Sequence, residues 1–311
     1  RDLEKYRITY DTWFRESTLH ESGAAKEVVE KLKNSGHTYT LDGALWFRAT
    51  DFGCDKDFVL LRANGVPTYV VPDIAYHYNK LCVRKFDKAI DILGADHHGY
   101  VPRLKAALTA LGAPAENLDV VIMQMVRLVR DGEVIKASKR SGKAITLVTL
   151  LDEVPIDAAR FFFNLREPNS HFDFDLDLAV SESNSNPVFY VQYAFARICS
   201  ILRNAKAEGI NGEDLKPEYL SILTAPEEKE LILYISSLTS EIINAAKTYD
   251  PARITHYVTE LATRFHKFYA ACRVVGEEKE LTLARLALTK ATGTVIKNVL
   301  TMLKINAPEK M

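Results

Sequence analysis

Apolar and polar positions follow two different periods along this chain, and the change from one to the other falls near residue 184. Before it, strand and helix signals alternate. Thr38 to Phe47 predicts two short strands about Asp42-Gly43, and Phe58 to Val71 predicts two more about Asn64-Gly65, because these dipeptides tolerate the positive φ angles of tight hairpins. Ala89 to Leu93 is a mainly apolar run followed by a glycine-bearing loop, after which Val101, Leu104, Leu108 and Leu111 recur at helical spacing. Val120 to Met123 repeats the buried-strand signal, and Val126 to Ile135 carries a further hairpin signal at Asp131-Gly132. The pattern predicts an α/β layer with a parallel sheet and added hairpins.

From about Asn186 only the helical period remains. Asn186-Pro187 predicts a helix start, and Val191, Ala194, Ile198 and Ile201 then fall on one face. Leu231, Ile235, Leu238 and Ile242 make a second stripe, as do Ile296, Val299, Leu300 and Leu303. The cleanest stripe is Ile254, Val258, Leu261, Phe265, Phe268 and Cys272, stepping by fours and threes. These spacings predict an antiparallel helix bundle. The polar stretch Ser181 to Asn186 is the expected boundary, giving domains over 1–183 and 184–311, and no internal repeat is visible.

Composition narrows the class. The 311 residues suffice for two cored domains, and 47% hydrophobic with 26% charged residues is ordinary for a soluble globular protein. No apolar run reaches the length of a membrane span. The chain opens Arg-Asp-Leu-Glu, without an initiator Met or a basic-then-apolar leader, so a natural start further upstream is expected. Cys54, Cys82, Cys199 and Cys272 lie far apart and outside any C-x-x-C pair, which suggests neither a zinc knuckle nor a disulfide framework and fits a reducing, cytoplasmic setting. Forty basic residues against 41 acidic ones leave a formal charge of −1, which argues against a generally cationic nucleic-acid protein. Any RNA contact must come from local patches.

Four runs carry candidate chemistry. Lys136-Ala137-Ser138-Lys139-Arg140-Ser141-Gly142-Lys143 puts four basic residues into eight positions with small residues between them. Such a loop can bring mobile cations onto polyphosphate, and on spacing alone it fits a solvated basic loop as well. Gly94-Ala95-Asp96-His97-His98 follows a predicted strand, at the end where open α/β sheets bind ligands. Adjacent histidines more often hydrogen-bond or pack than ligate a metal, and no metal site is expected. In the run Thr68 to His77, Tyr69 reads as a half-buried aromatic and Asp73 as a helix N-cap before either reads as a ligand contact. Asp173, Asp175 and Asp177 alternate with apolar residues, as in a half-buried strand or, more weakly, a metal loop.

Together these runs resemble the arginyl-tRNA synthetases, a class I family, over nearly all of the chain and least from Lys206 to Lys229. The basic run is similar to the K-M-S-K-S signature at Lys136, Ser138 and Lys139, with Ala137 in place of Met and Arg140 in place of the last Ser. The resemblance makes Lys136, Ser138 and Lys139 catalytic candidates that stabilise the α-phosphate transition state, Arg140 adding to the ATP contacts. Gly94 and Asp96 match the family's G-x-D element at the ATP ribose, with His97 and His98 as neighbouring candidates. Tyr69 and Asp73 match the Y-x-x-x-D-I-A-Y run that holds substrate arginine. The blocks from Arg160 to Phe163, Pro168 to Asp177 and Asn186 to Ala194 look like the connection beside the tRNA acceptor stem, an architectural role.

Asp250-Pro251-Ala252-Arg253 resembles the D-A-L-R element of the anticodon-binding fold, with two of four positions changed. The resemblance makes Arg253, Arg264, Lys267 and Arg285 candidate phosphate contacts and Tyr269 a stacking face. It implies a Rossmann-like nucleotide-binding domain, present as its C-terminal half with hairpin insertions, followed by an all-α anticodon-binding bundle. It further implies arginine–tRNA ligase activity, with L-arginine, ATP carrying Mg²⁺, and tRNA-Arg as partners, no membrane, and a monomer as the favoured state. No H-I-G-H run occurs, so the chain by itself is expected to be an incomplete, inactive synthetase. The alternatives are a non-catalytic tRNA- or protein-binding module derived from a synthetase, and a sister class I enzyme such as a cysteinyl one. Pyrophosphate exchange separates the first alternative, and the Tyr69–Asp73 pair argues against the second.

Overall fold

The computed structural model describes residues 2–135, 146–210 and 212–311. Residues 10–125 form one compact unit, and residues 1–9 with 126–311 form another. The boundary expected at 183/184 does not coincide with this division. The physical reason is that Phe161, Phe162 and Phe174 are buried in one core with the C-terminal helices.

A short α1 (Asp2–Lys5) opens the larger unit. The smaller unit begins with α2 (Ser17–Glu21) and α3 (Ala24–Asn34), which buries Ala25, Val28, Val29 and Leu32 at helical spacing. Next, β1 (Thr38–Leu41) and β2 (Ala44–Phe47) pair antiparallel about Asp42 at φ 50° and Gly43 at φ 75°, the left-handed pair that the hairpin signal requires. β3 (Phe58–Leu61) adds to β2, but the second expected hairpin is cut short. Its return leg reduces to a bridge between Leu61 and Pro67, and Val70 and Val71 belong instead to helix α4 (Val70–Tyr78). Pro67 has no N–H with which to extend a ladder, whereas Pro72 sits in the first turn of α4, where no backbone donor is needed. β4 (Ala89–Gly94) and β5 (Leu118–Met123) pair in parallel across α5 (Val101–Ala110). These strands are less buried than their apolar sequence predicts, since Ile90 and Ile92 are exposed. The core of this unit is built on Leu32, Phe47, Leu60, Ile74, Leu104, Leu108 and Leu118.

In the larger unit, β6 (Val126–Arg130) turns at Asp131 and Gly132, both at positive φ, into β7 (Glu133–Val134). α6 (Leu147–Glu153) and α7 (Ile156–Phe162) lead to β8 (Phe172–Asp175), which lies parallel to β6, and then to α8 (Leu176–Val180). Each of the alternating aspartates has a protein donor. Asp173 pairs with Arg127 through two hydrogen bonds, Asp175 caps α8 by accepting from Leu178 N at 2.9 Å, and Asp177 accepts from Asp131 N.

α9 (Pro187–Ala207) starts where expected, with the Asn186 side chain accepting from Val188 N at 3.2 Å. The stripe from Leu231 to Ile242 is divided between α10 (Pro226–Ser236) and α11 (Leu238–Thr248). Near the break, Tyr257 Oη is shared between the carbonyls of Tyr234 and Ile235, at 3.0 and 3.3 Å. α12 (Ala252–Ala271) buries its predicted stripe, and α13 (Lys279–Met302) buries Ile296, Val299 and Leu300. α13 crosses α9 at Gly293, where an added Cβ would stand 2.7 Å from Ile198 Cγ2. Gly293→Ala is therefore expected to lower stability. Overpacking costs about 1–3 kcal/mol and a β-branched neighbour yields little, while the gain in helix propensity offsets about 1 kcal/mol. A net loss of about 1 kcal/mol should appear as a lower urea midpoint with unchanged slope, and a raised midpoint would contradict it.

Candidate functional site

In the 10–125 unit the candidate groups gather around Tyr100, a residue to which the sequence assigns no role. Its ring is 8% exposed, and its Oη donates to Asp73 Oδ2. The ring centroid lies 5.8 Å from that of Tyr69 and 6.2 Å from that of His97. One side chain thus joins three sequence candidates. Burial, then the Asp73 carboxylate, pushes the Tyr100 phenol well above its ordinary range, so it remains a donor. Asp73 lies inside the first turn of α4 rather than at its N-cap, which is Tyr69, and its side chain is 37% exposed. Tyr69 is no half-buried sheet aromatic, for it is 74% exposed. Beside it, Phe58, Val59, Thr68, Val70, Tyr100 and Arg103 line a small cleft of about 200 Å³.

Beneath Asp73 lies His77, which Asp91 and Lys80 accompany. Burial alone would raise the Asp91 carboxyl, but the hydrogen bonds and charges of His77 and Lys80 bring it down to about 2. At the end of β4, an added Cβ on Gly94 would meet Asp96 Oδ1 at 2.7 Å, so the absence of a side chain is what admits that carboxylate. Asp96 is 82% exposed and lies 3.0 Å from His97 Nδ1, while His98 is exposed. Among the described residues no group of three or more His, Cys, Asp or Glu converges as a metal site. Lys136, Ser138, Lys139 and Arg140 lie outside the described residues.

The larger unit holds a second concavity of about 670 Å³, whose lining includes Phe189, Tyr190, Tyr193, Arg197, His266 and Met311. Arg197 Nη2 donates to Tyr193 Oη at 2.6 Å, and the guanidinium carbon lies 4.7 Å from the Tyr193 ring centre and 5.4 Å from that of Tyr269. Burial, with the nearby Arg197 charge, holds His266 down at about 4, so its imidazole is neutral near pH 7. Its Nε2 is buried without a partner among the described residues. Aromatic faces, a cation and an unsatisfied neutral imidazole in one open pocket suit a planar, hydrogen-bonding ligand such as an unstacked base.

The other candidates divide. Tyr269 is 41% exposed beside this pocket and Lys267 is exposed. Arg253 pairs with Glu241 at 3.0 Å, and Arg264 pairs with Glu230 and Glu260. Arg285 does not fit a phosphate contact: its side chain is 12% exposed and bonded to Glu228 at 2.7 Å. Asp250 of the D-A-L-R-like element is structural, 8% exposed and accepting from Ala252 N at the start of α12. Of the residues that sequence reading missed, only Tyr193 and Arg197 left a signal, as an i, i+4 pair on α9.

Comparison with known proteins agrees in both halves of the chain. Residues 4–182 match the family model described as tRNA synthetases class I (R), catalytic domain, and residues 191–311 match the DALR anticodon binding domain. An arginine–tRNA ligase of Acetivibrio thermocellus is 52% identical over 311 residues, covering all of this chain and 55% of that protein. One from Caldanaerobacter subterraneus is 52% identical over 310 residues, again 55% of that protein. A Campylobacter jejuni structure described as an arginyl-tRNA synthetase superposes with a TM-score of 0.89 at 33% identity, covering 100% of this chain and 66% of that one. The chain thus spans about half the length of the curated relatives it matches. It combines a Rossmann-like class I catalytic portion with an all-helical DALR portion, and no described helix is long and apolar enough to cross a membrane. On these matches the chain belongs to the class I tRNA synthetase family, in its arginine branch.

Proposed function

We propose that this chain is the part of an arginine–tRNA ligase that selects L-arginine, contributes to the ATP site and reads tRNA-Arg. The reaction joins arginine to ATP, releasing pyrophosphate and forming arginyl-adenylate, and then passes the arginyl group to the terminal ribose of the tRNA. The observation that carries the reading is the partly exposed Asp73 carboxylate, fixed by the hydroxyl of Tyr100, whose ring lies 5.8 Å from that of Tyr69. A planar guanidinium donates paired hydrogen bonds to a carboxylate and stacks on aromatic faces, whereas a thiol substrate would gain nothing from this arrangement.

In this reading Gly94 leaves room for the ATP ribose and the exposed Asp96 accepts from its hydroxyls, with His97 and His98 alongside. Lys136, Ser138, Lys139 and Arg140 supply donors and charge to the phosphates, and Mg²⁺ arrives bound to the ATP substrate. Catalysis rests on holding the carboxylate of arginine in line with the α-phosphorus and on stabilising the charge that develops there. The pocket at Tyr193, Arg197 and His266, with Tyr269 and Lys267, takes single-stranded nucleotides of the tRNA. All four cysteines are free, in keeping with a reducing, cytoplasmic setting.

Asp73→Asn tests the reading in the full-length protein. It removes the charge from a charge-assisted contact worth about 1.5–3 kcal/mol, so arginine affinity should fall on the order of 10- to 100-fold while ATP affinity stays level. Unchanged arginine binding by calorimetry would reject it.

A further inference from the structure

His77 follows Asp73 by one helical turn in α4 and is 2% exposed. Its Nδ1 lies 2.8 Å from the Asp73 carbonyl oxygen and 3.5 Å from Asp73 Oδ1. Its Nε2 bonds Asp91 Oδ2 on β4, while Asp91 Oδ1 accepts from Lys80 Nζ at 2.8 Å. Lys80 is itself held 4.6 Å over the Tyr76 ring. A carbonyl oxygen can only accept a hydrogen bond. The Asp91 carboxylate is likewise an acceptor, shared between His77 and Lys80. His77 thus bridges the Asp73 turn of α4 to β4 through its two ring nitrogens.

We propose that His77 is a positioning residue that fixes the Asp73 carboxylate for a guanidinium, with the Asp91–Lys80 pair as its electrostatic support. The proposal rests on Asp73 being the arginine contact. A terminal carboxylate torsion is broad, so an unrestrained Asp73 would turn freely and accept a point-like ammonium as readily as a planar fork. Here it is confined from two sides, Oδ2 by the Tyr100 hydroxyl and Oδ1 by the His77 ring, whose Nδ1 is fixed on the Asp73 carbonyl at 2.8 Å and stands 3.5 Å from Oδ1. That leaves the outward lone pairs of both oxygens in one fixed plane, the geometry that paired guanidinium donors require.

The competing role is a simple strut between α4 and β4, and two substitutions distinguish them. H77N keeps a donor close to the position of Nδ1, facing Asp73, whereas H77Q keeps one close to Nε2, facing Asp91. The full-length protein is assayed by arginine-dependent pyrophosphate exchange beside thermal melting. If His77 positions Asp73, H77Q raises the arginine KM about tenfold with the ATP KM within about twofold, and H77N recovers most of the loss. A strut gives the opposite order, H77Q retaining both KM and melting temperature, and that result overturns the proposal. An equal rise of both KM values with a lowered melting temperature overturns it too. Should both His77 variants fail to fold, the isosteric D91N decides: a severalfold rise in arginine KM alone supports positioning, and an unchanged one refutes it. Asp73→Asn is run in parallel. If it leaves the arginine KM unchanged, the reading of Asp73 itself has failed; if it raises that KM while the His77 and Asp91 variants do not, only the positioning role has.

Discussion

Glu228→Ala is expected to lower the unfolding free energy by about 3–5 kcal/mol, the range for removing one partner of a buried ion pair. Glu228 is 1% exposed and ties the start of α10 to α13. Its Oε1 accepts from Arg285 Nε of α13 at 2.7 Å, and its Oε2 accepts from Ala225 N at the start of α10 at 2.8 Å. Arg285 in turn donates from Nη1 to the Arg273 carbonyl at 2.7 Å. Alanine would leave the mostly buried Arg285 guanidinium without its carboxylate and an orphan N–H at the helix start. Glu228→Gln keeps an acceptor for one of the two donors and should lose less. Urea unfolding measures both, and a loss below about 1 kcal/mol for the alanine variant would show that the pair is solvated in practice.

The second large effect is catalytic. Lys139→Ala in the full-length protein is expected to slow adenylate formation by about 10²- to 10³-fold, the usual cost of removing one preorganised group from a developing anion. Arginine affinity should change little. If Lys139 acts as proposed, on charge that appears only during adenylyl transfer, kcat falls and ground-state binding does not. Single-turnover kinetics beside equilibrium binding of arginine separates the two, and equal losses in both would remove Lys139 from the chemistry.

Features set by neighbouring residues were legible in the sequence. Asp42-Gly43 and Asp131-Gly132 turn where their dihedral preferences require, and the α12 stripe from Ile254 to Phe268 is buried as its period demands. Competition between two local signals was harder. Asn64-Gly65 does make a turn, with Gly65 at φ 76°, yet the strand expected after it yields to a helix that Pro72 can start and a ladder that Pro67 cannot extend. Long-range convergence left almost no trace. Tyr100 matters because it reaches Asp73, 27 positions earlier, and the aromatic pocket draws Tyr193, His266 and Met311 from three separate stretches. The division at 125/126 depends on where Phe174 packs, which no pattern within β8 reveals.

Residues 10–125 are, in sequence, an insertion into the unit formed by residues 1–9 and 126–311, and this bears on the order of events during synthesis. The inserted unit has its own core and can close while the ribosome is still making the C-terminal helices. Residues 1–9 must wait. Their anchors come late: Arg7 donates to Asp157 at 2.5 Å and to the Lys304 carbonyl at 2.6 Å, and Arg160 reaches the Tyr6 carbonyl at 2.6 Å. The Arg7–Lys304 contact joins positions 297 apart, so it forms only when nearly the whole segment has been translated. A contact of that sequence separation carries a large loop-closure entropy, so the segment after α13 docks onto residues 1–9 late.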